Sequence, residues 1–204
     1  MSKTYLDKVY EARDAASTRE LYDKWAGSYE AETAANGYAT PGRCARALRR
    51  FTDDLSAPVL DFGCGTGLSG LALKLEGFEV IDGYDLSADM LREARAKNIY
   101  RTLEQIEADD PLPFTPGDYP TIAAIGVIGA GAAPISLLHT LIRSLRQGGK
   151  MVFSFNDHAL EDPANEAGLC EWLDCGAARL LFREHGPHLP GINLKSIAYV
   201  IEKA

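Results

Sequence analysis

The chain has 204 residues, 46% of them apolar and 25% charged, and a net charge of −8. That length suits one domain with a substantial core, and the ordinary composition excludes a disordered or fibrous chain. The acidic balance, with no basic block beyond Arg46, Arg49 and Arg50, argues against a nucleic-acid partner, and no run is long enough to span a membrane.

Residues 1–55 read as a helical cap, and residues 56–204 as the core of the same single domain. Ser17-Thr18-Arg19-Glu20 is a capping-box pattern that predicts a helix start. Tyr22, Trp25 and Tyr29 follow at i, i+3 and i+7 and share one face. They serve either as a lid over a ligand or as a stripe docking the helix. Asn36-Gly37 breaks this helix, and Thr40 with Pro41 caps the next.

From Ala57 strands and helices alternate, which predicts a mostly parallel sheet covered on both faces. The strands fall near 58–62, 79–84, 100–106, 121–125 and 151–155. The helices fall near 67–76, from Ser87, from Pro134 and over 163–173. The loop Gly126–Ala133 reads as small and flexible. Two late strand-like runs, 177–183 and 195–201, joined by a long loop from Glu184 to Gly191, form a terminal hairpin. The expected fold is α/β: a Rossmann-like, seven-stranded, mostly parallel sheet with an antiparallel C-terminal hairpin. No C-x-x-C pair or zinc-site spacing involves Cys44, Cys64, Cys170 or Cys175, so free thiols and no metal are expected. Met1–Asp7 lacks a signal-peptide core, which points to the cytoplasm.

The first strand ends in Asp61-Phe62-Gly63-Cys64-Gly65-Thr66-Gly67-Leu68-Ser69-Gly70, a glycine turn that opens a helix. Glycines let a ligand approach the main chain, and the helix N-terminus offers free N–H groups. Both a dinucleotide and S-adenosylmethionine use such a turn, and the spacing also fits G-x-G-x-x-G. Asp61 favours the second: a carboxylate here repels a pyrophosphate and attracts an ammonium. Asp85, at the end of the second strand, is placed to accept from both ribose hydroxyls or to cap the helix beside Ser87 and Asp89.

These residues, with Gly83-Tyr84-Asp85-Leu86-Ser87-Ala88-Asp89-Met90-Leu91, resemble the first two motifs of class I S-adenosylmethionine-dependent methyltransferases. Leu112-Pro113-Phe114 and Arg146-Gln147-Gly148-Gly149 are similar to later family elements. Tyr22-Asp23-Lys24-Trp25-Ala26-Gly27-Ser28-Tyr29 resembles an N-terminal element of the Williams–Beuren region methyltransferase-like subfamily. The resemblance implies S-adenosyl-L-methionine as cofactor, with S-adenosyl-L-homocysteine as product. It places Asp61, Gly63 and Gly65 at the methionine end, with Cys64 and Thr66 lining the turn. Asp85 takes the ribose; Leu86 and Met90 flank the adenine. Gln105 or Ile106 lies at the adenine edge, there through a backbone N–H. Gly126 and Val127 face the sulfonium, and Trp25 and Tyr29 close the pocket.

Two departures stand out. Tyr119-Pro120 enters the fourth strand, where proline removes a donor. The loop Gly126–Ala133 has no polar side chain to act as a base. Methyl transfer needs chiefly alignment, and the only base candidates after the fifth strand are Asp157 and His158, which fit a helix cap equally well. His139 reads as structural. The expected activity is methyl transfer to a small-molecule acceptor by a monomer or homodimer. The competing readings are a non-catalytic S-adenosylmethionine-binding or scaffold protein and an NAD-dependent oxidoreductase. The last lacks a Tyr-x-x-x-Lys pair and is disfavoured by Asp61.

Overall fold

The computed structural model of the protein describes Tyr5 and residues 15–108, 110–129 and 131–204. Among the described residues, the first elements with defined bounds are the helices α1 (Ala15–Ala35) and α2 (Thr40–Arg49). Ser17 already lies inside α1, so the capping-box pattern does not open a helix there. Any cap ahead of Ala15 lies outside the described residues. Asn36-Gly37 ends α1 as expected, with the Gly37 N–H on the Ala34 carbonyl at 2.9 Å. Thr40 is the first residue of α2 rather than its cap; Ala39 holds the cap position without a side-chain bond. The Thr40 hydroxyl instead reaches buried partners on the C-terminal hairpin.

The alternation then runs β1 (Val59–Phe62), α3 (Leu68–Leu75), β2 (Ile81–Asp85), α4 (Ala88–Ala96), β3 (Thr102–Gln105), β4 (Thr121–Ala124), α5 (Ser136–Ser144) and β5 (Lys150–Asn156). A short α6 (Asp157–Leu160), α7 (Pro163–Asp174), β6 (Ala178–Leu189) and β7 (Leu194–Lys203) complete the chain. The seven strands order as β3-β2-β1-β4-β5-β7-β6. Pairs among β1 to β5 are parallel; β7 is antiparallel to both β5 and β6. The expected sheet is therefore present. β1 and β4 are buried at every position, as strands covered on both faces must be. Pro120 causes no break, because β4 begins one residue later; its carbonyl accepts from the Lys150 N–H at 2.9 Å.

The hairpin departs from expectation. Glu184–Leu189 belongs to β6 and not to a loop. Gly186-Pro187 reads as a turn in sequence, but β6 is an edge strand and its ladder shifts between Pro187 and Leu189. An edge bulge tolerates proline. The true turn is Pro190–Ile192, closed by Asn193 at a φ of +56°.

Apolar side chains alternate to the two faces of the sheet. Leu60, Ile122, Met151, Phe153 and Tyr199 meet α5 residues Leu138, Leu141 and Ile142 in one cluster. Val59, Ile81, Val152 and Val200 meet Leu48 of α2 and Leu73 of α3 in the other. The strand order reverses between β1 and β4, so their carboxyl ends open a crevice, the place where α/β sheets of this kind bind ligands.

Candidate active site

The glycine turn sits at that crevice. The N–H groups of Gly63 and Cys64 both donate to the Tyr84 carbonyl, at 2.7 and 3.1 Å, which fastens the turn to β2. Gly63 has a φ of +71°, and a Cβ there would stand 2.5 Å from Val127 Cγ2. Only glycine lets the loop after β4 lie on the turn this closely. Asp85 ties down the other side. Its two oxygens accept from the Gly65 N–H at 2.8 Å and the Ser87 N–H at 2.9 Å. Ser87 caps α4 by accepting from Met90 N–H at 3.1 Å. Asp85 thus braces the capping residue, while the cap itself is Ser87. A carboxylate has lone pairs beyond these two bonds, which leaves capacity for ribose hydroxyls.

Asp61 is fully buried. Its Oδ2 accepts from Ser69 Oγ and from Tyr100 OH, each at 2.7 Å, while its Oδ1 has no partner. Burial pushes this carboxyl up to about 6, against the opposing pull of the two hydroxyls. The Thr66 hydroxyl, on the same turn, is also buried and unpartnered. Cys64 is buried beside both acids, and burial holds its thiol well above the ordinary range, so it lines the turn without reactivity. Ser69 and Tyr100 were missed from sequence. Gly70 keeps room for the Tyr100 ring, since a Cβ there would stand 2.2 Å from its hydroxyl, but that contact between distant segments leaves no mark in the sequence.

Of the adenine-side residues, Leu86 is half-buried and Met90 is enclosed, 1% exposed. Gln105 turns its amide to the Leu86 carbonyl at 3.0 Å. The Ile106 N–H donates to the Asp85 carbonyl at 3.0 Å and is not free for an adenine edge, which corrects that expectation. Gly126 donates to Ser154 Oγ at 3.0 Å. The Gly126–Ala133 loop, expected to be flexible, folds on itself through Gly129 N–H to Ala133 carbonyl and Ala133 N–H to Val127 carbonyl bonds, at 2.9 and 2.8 Å.

Beyond Gly126 lies a separate cleft over the ends of β4 and β5, with a cavity of about 50 Å³. Tyr22, Trp25, Tyr29 and Tyr38 wall it with Asn156 and His188. Trp25 meets Tyr22 at 5.8 Å and Tyr29 at 4.8 Å between ring centroids, and its buried Nε1 has no partner. The aromatic stripe of α1 therefore lines this cleft, one loop away from the glycine turn. The two base candidates are elsewhere. Asp157 accepts from the Lys195 N–H at 2.9 Å and faces His185 Nε2 at 3.5 Å. His158 is a third exposed and lies 3.4 Å from Glu161. Neither lines the cleft. His139 is structural as read, bonded to Trp172 Nε1 at 2.8 Å.

The strand order, the turn at the switch point and the acid ending β2 define a domain of the class I methyltransferase type. The chain belongs to the methyltransferase-domain family, whose model matches residues 37–198. It is 30% identical over 131 residues to human methyltransferase-like protein 27, covering 63% of this chain and 54% of that protein. The same identity and length relate it to the 18S rRNA (guanine(1575)-N(7))-methyltransferase of Saccharomyces cerevisiae, over 57% of this chain and 48% of that one. The chain spans about half the length of these relatives. Among solved structures, a chain from the complex of the Haloferax volcanii Trm112 methyltransferase activator with a methyltransferase superposes with a TM-score of 0.69. It is 18% identical and covers 91% of this chain and 97% of its own.

Proposed function

We propose that the chain transfers a methyl group from S-adenosylmethionine to a small, uncharged molecule held in the aromatic cleft. The observation that carries this reading is one arrangement. Two orphaned polar atoms, Asp61 Oδ1 and Thr66 Oγ1, sit at the glycine turn, separated by Gly126 and Val127 from the cleft. An unpaired buried acceptor and an unpaired buried hydroxyl are costly unless a ligand completes them. An amino-acid tail completes both, its ammonium on Asp61 and its carboxylate on Thr66. Asp85 then takes the ribose. The bound sulfonium supplies an activated methyl group. The chain's share is alignment: Val127 packed on Gly63 and the closed loop behind it fix the wall between donor and acceptor.

A small neutral acceptor is supported by the size of the cleft, by its aromatic walls and by the lack of any Lys or Arg among its lining residues. Label transfer from methyl-labelled S-adenosylmethionine tests the reading. Incubation with a metabolite extract, with total RNA and with ribosomal protein should label the metabolite fraction. Label in RNA or ribosomal protein contradicts the small acceptor. Binding of S-adenosylhomocysteine with no transfer to any fraction favours a non-catalytic binding protein.

A further inference from the structure

Behind the cleft wall lies a buried polar relay that sequence reading did not foresee. Arg43 Nη1 donates to Ser196 Oγ at 3.0 Å; Ser196 Oγ lies 2.8 Å from Thr40 Oγ1; Thr40 Oγ1 lies 2.8 Å from His188 Nδ1. Thr40 and Ser196 are fully buried, and Arg43 and His188 nearly so. Arg43 is itself held by the Glu184 carboxylate at 3.1 Å and the Pro187 carbonyl at 3.0 Å.

The directions in this chain follow from what each group can give. Arg43 only donates, so the Ser196 oxygen accepts from it. Among the hydrogen bonds of the described residues, the one acceptor left for the Ser196 hydrogen is Thr40 Oγ1. Thr40 then spends its own hydrogen on His188 Nδ1. The reverse direction leaves a hydroxyl hydrogen stranded in a buried site, which costs about 1–3 kcal/mol. With Nδ1 accepting, the one proton of a neutral imidazole resides on Nε2.

We propose that His188 offers its Nε2–H to the cleft as a hydrogen-bond donor, fixed in that tautomer by the relay from Arg43, and so selects an acceptor molecule bearing a neutral carbonyl-type oxygen. This rests on the cleft being the acceptor site. A second observation points the same way. Trp25, in the same wall, has a buried Nε1–H with no partner among the described residues. These two N–H groups only donate, beside the hydroxyls of Thr33 and Ser154 and the amide of Asn156 in the same lining, and with no Lys or Arg there they ask for oxygen lone pairs on the ligand. At about 10–15 Å³ per water, a cavity of about 50 Å³ holds some four waters, which limits the acceptor to a small molecule. Tyr38 meets the His188 ring edge-on, with 5.2 Å between centroids, and keeps it from turning. Burial, with the Arg43 charge and His158 beyond it, pushes the His188 imidazole down to about 4, against the pull of Asp157, so the ring is neutral at pH 7. A neutral ring already protonated on Nε2 is a positioning group and not a base.

The test does not need the cofactor. Long-range proton–nitrogen correlation spectra of the ¹⁵N-labelled protein at pH 7 should show His188 with a bare Nδ1 and a protonated Nε2. The signal is assigned by its loss in His188→Phe. The opposite tautomer, or an averaged one, overturns the relay. Acetophenone, an acceptor-only probe of one ring, should shift both the His188 Nε2–H and the Trp25 indole N–H, and benzylamine should shift neither. His188→Phe keeps the ring and removes the donor, so acetophenone affinity should fall about tenfold. Benzylamine binding in preference, no shift with acetophenone, or unchanged affinity in His188→Phe overturns the selection. S-adenosylhomocysteine binding, measured alongside, stands or falls independently, so failure here is separable from failure of the methyltransferase reading.

Discussion

Asp61 has two hydroxyl donors on one carboxylate oxygen and none on the other. An ammonium beside Oδ1 favours the ionised form, so it pulls the carboxyl below about 6. S-adenosylhomocysteine binding at pH 6 should therefore release about half a proton, and at pH 8 almost none. Calorimetry in buffers of different ionisation enthalpy reads this directly; identical heats at pH 6 place the ammonium elsewhere. The same residue shapes acid stability. Because its folded value is raised from 3.8, Asp61 contributes stability that is fully present below pH 4 and lost as pH rises through about 6. The span is worth about 3 kcal/mol. Asp61→Asn removes this gain, so denaturant melts of the variant should lose stability more steeply than the wild type between pH 6 and 4. Parallel curves contradict it. At Asp85, replacement by Ala frees the Gly65 and Ser87 N–H groups and the ribose position together. The expected loss is about 1.5–3 kcal/mol, ten- to a hundredfold in S-adenosylhomocysteine affinity; an unchanged dissociation constant leaves Asp85 a cap alone.

At the scale of elements, α1 contributes no residue to either core cluster. Polar ties hold it along one edge: Arg19 to Glu107, Asp23 to Ser87 at the cap of α4, and Glu30 to Lys97 at its end. A partly exposed ion pair such as Arg19–Glu107 contributes up to about 1 kcal/mol. Trp25 packs on Tyr5, Tyr22 and Tyr29 and belongs to neither core cluster. We therefore propose that residues 1–55 act as a cap whose first described helix opens at Asn36-Gly37 and closes over the ligands. Trp25→Ala should speed amide exchange across residues 15–35 while exchange in β1, β4 and β5 stays slow. Loss of protection throughout the sheet makes the stripe ordinary core. α1 was legible because Tyr22, Trp25 and Tyr29 repeat at helical spacing, and its destination was not, because periodicity says which residues share a face and not what that face meets. β6 failed for a different reason: Gly186-Pro187 is a turn signal that an edge bulge overrides.

For the whole molecule, the seven strands were readable because most turns are punctuated by glycine, proline or an acid, and because β1 to β5 are short runs between helices; their spatial order was not. The site was legible where one segment supplies it, as from Asp61 to Thr66. It was illegible where distant segments converge, as Tyr100 does on Asp61 or Thr40 on His188 across 148 residues. The fold places a glycine turn and an aromatic cleft on either side of one loop. Direct titration of the protein with S-adenosylhomocysteine and with NADH tests that account at its root. The expected result is micromolar binding of S-adenosylhomocysteine, about −8 kcal/mol, weakened in Asp61→Asn, with no heat from NADH. Binding of NADH without binding of S-adenosylhomocysteine would contradict it.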